Sequence, residues 1–171
     1  MRVSIFKSNR LIIVFTTALL NALLLACSCH SKNSTKVDKF YTDKGEWDSA
    51  RLPLIKPYEA IIVSKESGWS VNLDGLDGDT GFQNTDKVNV LNGVILLHSV
   101  NSILHGVDSI KETWHIIVPA KHLEKGFATH ADYSNYIKQL GIKQEPKLHD
   151  INLVAAYYED HDIINWNAID Y

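Results

Sequence analysis

Two groups of residues have the composition to do chemistry. The first is Asp74-Gly75-Leu76-Asp77-Gly78-Asp79, which sets three carboxylates among glycines. Such a loop could wrap a Ca²⁺ ion, which takes six to eight oxygen ligands. The EF-hand order D-x-[DN]-x-[DN]-G fails in both registers. With Gly78 at the sixth loop position, Gly75 and Leu73 occupy the third and first. With Gly75 there, Asn72 and Ser70 do, and Gly81 stands where the bidentate Glu belongs. The loop therefore reads as a solvated Gly/Asp turn. The second group is the eight histidines. Zinc needs three or four converging ligands, usually betrayed by spacings such as H-E-x-x-H, and no such pair occurs. His115 stands on a strand-like run between Trp114 and Ile116, His122 and His130 flank a loop, and His149 and His161 bracket a helix-like segment. They read as scattered surface and cap residues. The nucleophile elbow G-x-S-x-G, the P-loop and G-x-G-x-x-G are absent. No catalytic, cofactor or metal residue is assigned, no cofactor is expected, and the balance leans away from an enzyme. The alternative is a small metal-dependent hydrolase whose ligands would gather from the scattered histidines and the 74–79 loop.

A third residue carries chemistry of another kind. Arg2, Lys7 and Arg10 precede the apolar run Leu11–Ala26, which is too short for a membrane span of about 20 residues. A basic stretch followed by an apolar one of this length is a secretory signal. It ends in Leu24-Leu25-Ala26-Cys27. This resembles the lipobox of bacterial lipoproteins, with aliphatic Leu24 three residues before the cysteine and small Ala26 directly before it; Leu25 is bulkier than usual. The resemblance implies cleavage after Ala26 and lipidation (palmitate among the chains) of Cys27. Cys29 fits less well, because the window before it lacks the aliphatic residue. Each buried CH₂ contributes roughly 0.8 kcal/mol, so two or more acyl chains hold firmly. Ser28 rather than Asp follows Cys27, which in a Gram-negative cell favours the outer membrane facing the periplasm. In a Gram-positive cell the address is the plasma membrane.

Removing residues 1–26 takes away three basic residues and no acid. That leaves 14 basic against 20 acidic residues, a formal charge of −6. An acidic domain of this kind does not bind nucleic acid or anionic headgroups through general charge. With Cys27 acylated, Cys29 has no intramolecular partner, so the domain must stand on its core alone. Four Trp and seven Tyr supply much of that core. Trp69 and Trp114 sit on alternating apolar runs and read as core, whereas Trp47 and Trp166 lie near the domain ends and read as exposed.

The elements follow from periodicity. Residues 27–39 form a lipid anchor and polar tether, and residues 40–171 a single globular α+β domain. An extended segment ending at Lys56 lays Trp47, Leu52, Leu54 and Ile55 on the core. Strands are predicted at 58–63 and 69–73, joined by the Gly turn at 65–68, then at 88–91 and 94–99 around Asn92-Gly93, and at 113–118. Residues 74–86 and 100–111 read as loops. Thr129 opens a helix with Tyr133, Tyr136, Ile137 and Leu140 on one stripe and Gly141 at its end. Asp150 caps a second helix. The predicted fold is an antiparallel sheet of about four to six strands with two C-terminal helices packed on one face.

The segments KPYEAI (56–61), NVLNGVI (89–95), WHIIVP (114–119), EKGF (124–127), YIKQLGI (136–142) and PKLHDI (146–151) together resemble small uncharacterised lipoproteins of Gram-negative bacteria. That group implies no established activity and no functional residue. The expectation is a lipid-anchored envelope lipoprotein with a non-catalytic, protein-binding domain. The two forms this expectation takes are an immunity-like protein and an envelope component.

Overall fold

The computed structural model describes residues 37–45, 49–62 and 67–169. The signal-like segment, Cys27, the tether to residue 36, Trp47 and part of the 65–68 turn lie outside the described residues. The chain is α+β, with eight strands and two α-helices among the described residues. The strands are β1 (Ala50–Ile55), β2 (Tyr58–Ile62), β3 (Trp69–Asn72), β4 (Gly81–Leu91), β5 (Val94–Leu104), β6 (Val107–Val118), β7 (Leu123–Phe127) and β8 (His149–Asp150). The helices are α1 (His130–Gln139) and α2 (Ile151–Asp160). The first seven strands form a sequential antiparallel meander, and β8 adds to β4.

The strand count exceeds the expected four to six, for local reasons. Asn92-Gly93 does make the β4–β5 turn, with φ of 51° and 78°, the left-handed pair of a tight hairpin. His105-Gly106 repeats that geometry between β5 and β6, with φ of 51° and 74°. A His in the first turn position is a weak signal, and polar Asn101, Ser102 and Ser109 break the apolar alternation. Residues 100–111, expected as loop, are therefore the two arms of a long hairpin. β7 was likewise unexpected, because Leu-Glu-Lys-Gly-Phe carries little strand propensity.

The sheet is strongly curled. β2 and β7 are five places apart, about 24 Å in a flat sheet at ordinary strand spacing. Yet the Tyr58 hydroxyl donates to Glu124 Oε1 at 2.8 Å. The concave face closes around Leu52, Val71, Phe82, Val88, Leu97 and Ile117, and α2 seals it with Ile151, Val154 and Tyr158. On the other face Leu96, Ile116, Val118 and Phe127 meet Tyr133 and Ile137 of α1. Neighbouring strand residues point to opposite faces, so Leu96 and Leu97 belong to different cores. The helices thus cover opposite faces, not the one face expected. The cause is the uninterrupted apolar runs Val94–Leu97 and Ile116–Val118, which need cover on both sides. Full burial of a side chain such as Ile137 stabilises by about 1.5–3 kcal/mol.

Both helix starts follow the expected chemistry. Thr129 Oγ1 accepts from the Asp132 amide, and Asp150 Oδ1 accepts from the amides of Asn152 and Leu153. Each such cap is worth about 1 kcal/mol. The first places His130 at the head of α1, directly over the convex face of the sheet.

Candidate functional site

The principal site is built on that convex face, beginning with an irregularity in β4. Register runs from Leu91↔Val94 to Lys87↔His98 and then jumps to Thr85↔Ser99. Asp86 is the extra residue of a β-bulge, a device that re-aims a side chain. Its Oδ1 lies 2.5 Å from Nδ1 of His98. The His98 ring is nearly buried, and on its other side Nε2 is 3.8 Å from Glu112 Oε1. Trp114, the cross-strand partner of His98, lies with its ring 5.0 Å away. His130 also packs against the indole, rings 5.5 Å apart. His130 Nε2 is 2.8 Å from Glu145 Oε1, and the Ser134 hydroxyl donates to the second oxygen of the same carboxylate.

The result is a shallow groove of ≈ 720 Å³ whose wall is half-buried Trp114 and whose rim carries Lys87, Glu112, Lys147 and Asp150. Below it the ring of Tyr133 packs 6.4 Å from the indole. Its hydroxyl is buried without a hydrogen-bond partner among the described residues, and burial first, then the Glu145 charge, pushes the phenol well above its ordinary pKa.

The arrangement of these groups differs from that of a serine triad. In a nucleophilic site the imidazole sits between hydroxyl and carboxylate. Here the Glu145 carboxylate accepts from Ser134 and lies beside His130, an order of groups different from that of the triad. His98 has the orienting carboxylate, but its free nitrogen faces Glu112. The imidazoles of His98 and His130 each lie against Trp114, with ring centroids 5.0 and 5.5 Å from the indole. What remains is a flat aromatic surface bracketed by donors and acceptors of both signs.

The chain was compared with protein-family models, with curated proteins and with solved structures, and none matched.

The acidic loop 74–79, expected to be a solvated turn, is anchored instead. Glu124 of β7, which no sequence pattern singles out, accepts from Tyr58 Oη and from the amides of Asp74 at 2.6 Å and Leu76 at 2.9 Å. Tyr58 also donates to Asp74 Oδ2 at 3.1 Å. Burial, then the neighbouring Glu124 carboxylate, raises the Tyr58 pKa strongly. Asp77 accepts from the Gly126 amide, and Asp79 accepts from the His105 amide. His105 Nδ1 lies 3.2 Å from Asp79. The loop carboxylates are thus taken up by protein donors. Among the described residues no three His, Cys, Asp or Glu side chains group as metal ligands.

The other sequence candidates are distributed. His115 is buried on the concave face, stacked on Phe82 at 3.9 Å, with Nε2 3.3 Å from Thr113 Oγ1. Burial, then the charges of His105 and His98, lowers its pKa to about 3. His149 is buried in β8 and its pKa is lowered, chiefly by burial. His122 is the left-handed residue before β7, and His161 stacks on Tyr157. Trp69 is core, as expected, with Nε1 donating to Asn152. Trp114 is only half-buried and forms the groove wall, and Trp166 is partly buried against the core rather than exposed. Cys27 lies outside the described residues.

Proposed function

We propose that the chain is a bacterial envelope lipoprotein, held at a membrane through lipidated Cys27, whose domain binds a protein partner without catalysis. The groove around Trp114 carries the binding half of this reading. An indole is a large apolar anchor with a small ordering cost, the residue type most enriched among binding hot spots. His98, held by Asp86, and His130, held by Glu145, pack against it, so the surface is organised before a partner arrives. The mixed charges of the rim suit a polypeptide surface better than a polyanion. The anchoring half rests on the basic stretch, the apolar run and Leu24-Leu25-Ala26-Cys27. No helix among the described residues is long and apolar enough to cross a membrane. In a Gram-negative source the address is the outer membrane, facing the periplasm.

Two measurements test the two halves. Cys27→Ser should abolish incorporation of labelled palmitate and release the protein from sedimented membranes; normal labelling or unchanged sedimentation refutes the anchor. Crosslinking in intact cells should trap an envelope protein that is lost with Trp114→Ala at equal protein level. Crosslinks indifferent to that substitution would remove the groove from the account.

A further inference from the structure

A second site lies where β4 and β5 part. Their backbone pairing stops at Thr85↔Ser99. Beyond it β4 continues to Gly81, paired among the described residues only with β3, through Val71↔Phe82 and Asn72↔Gly81. β5 continues to Leu104, paired among the described residues only with β6, through Val100↔Glu112 and Ser102↔Ile110. The parting is built into the backbone. Asn84 and Asn101 face each other across the fork, both left-handed, with φ of 56° and 47°. The Asn84 side-chain amide donates to the Asn101 carbonyl at 3.5 Å, where a ladder bond would otherwise form. Left-handed backbone is uncommon outside glycine, and two such residues at one fork turn both strands out of register.

An open groove of ≈ 690 Å³ fills the gap, lined from one side by Gly81, Phe82 and Gln83 and from the other by Asn101, Ser102 and Ile103. Among the described residues none that lines it is charged, in a chain where charged residues make up 22%. Facing strand edges without a backbone partner are templates for another strand. We infer that the fork between Gly81–Asn84 and Asn101–Ile103 accepts an extended, uncharged segment of a protein partner by strand addition. Such a segment runs antiparallel to one edge and parallel to the other, because β4 and β5 are themselves antiparallel. An anionic ligand finds no cation in the lining. A sugar finds no exposed aromatic platform, since Phe82 is buried. Exposed Ile103 offers an apolar contact for one side chain of the incoming strand. This site is separate from the Trp114 groove and does not depend on it.

The full chain in detergent micelles should be used to select from a phage-displayed library of random peptides about twelve residues long. The expected winners are uncharged and rich in Ser, Thr, Val and Ile. Bound as synthetic peptides, they should slow amide hydrogen exchange at 81–84 and 101–103. Gln83→Lys combined with Ile103→Lys, both on exposed side chains, should weaken them at least tenfold with the melting temperature unchanged, and Trp114→Ala should leave them within twofold. An empty selection, protection confined to other strands, or affinity indifferent to the paired lysines overturns the proposal. So does a concentration-dependent dimer of the free chain that the lysines abolish, since the fork would then serve a second copy.

Discussion

Asp86 contacts His98 although hairpin symmetry about Asn92-Gly93 would set Asp86 opposite Ser99. One extra residue in β4 produces the contact, and with it a flank of the Trp114 groove. A bulge that only relieved twist would need no acid at this position. Here the acid satisfies a nearly buried imidazole nitrogen.

Removing that acid has a defined consequence. Asp86→Ala leaves Nδ1 of His98 without its partner, and an unsatisfied buried polar group costs about 1–3 kcal/mol. Asp86→Asn retains an acceptor and should lose less than half as much. Urea unfolding of the two variants, compared at equal slope, checks the order.

Glu124 is the larger structural investment. Its carboxylate accepts three hydrogen bonds from Tyr58, Asp74 and Leu76 in a buried position. Glu124→Ala should cost about 3 kcal/mol or more, because several donors lose one acceptor together. Tyr58→Phe removes the hydroxyl that donates to Glu124 and Asp74 and should cost about 1–3 kcal/mol. Faster amide exchange across 74–79 in the alanine variant would show the loop released; unchanged exchange there would show that Glu124 does not hold it.

His115 predicts a pH dependence with a definite sign. Burial holds its folded pKa at about 3, below the ordinary value of 6.5. Between those values the unfolded chain takes up a proton that the folded chain does not. Stability is therefore unaffected above about pH 6.5 and falls as pH drops, by at most about 1.4 kcal/mol per pH unit from this residue. His149, also lowered by burial, adds in the same direction. His115→Gln should flatten the acid limb of the stability profile. Imidazole proton resonances of His115 that move near pH 6 in the folded protein would refute the assignment.

Glu145 provides a contrast. It joins His130 and Ser134 near the surface, where ion pairs contribute about 0–1 kcal/mol. Glu145→Gln should leave the melting temperature almost unchanged. A loss as large as that of Glu124→Ala would mean the groove flank is part of the core.

Residues close in the chain were legible. The caps at Thr129 and Asp150, the Asn92-Gly93 turn and the stripe Tyr133–Ile137 each depend on a few neighbouring side chains, and the structure has them where local chemistry placed them. The β5–β6 hairpin was hidden because its turn uses His105 and its arms use polar residues. The splitting of the helices over two faces was written in the consecutive apolar runs of β5 and β6, but periodicity does not say which helix takes which face.

By itself the sequence determined the α+β class, the helix starts and most strands, since these are fixed by dihedral preference, capping and alternation over a few residues. It also set the expectation for Cys27, which depends on the residues just before it. Only the tertiary structure decided that Glu124 reaches Tyr58, that Asp86 reaches His98, and that β4 and β5 part at Asn84 and Asn101. Those relations depend on sheet curl and on a one-residue change of register, which arise when many side chains pack at once and leave no periodic trace in the chain.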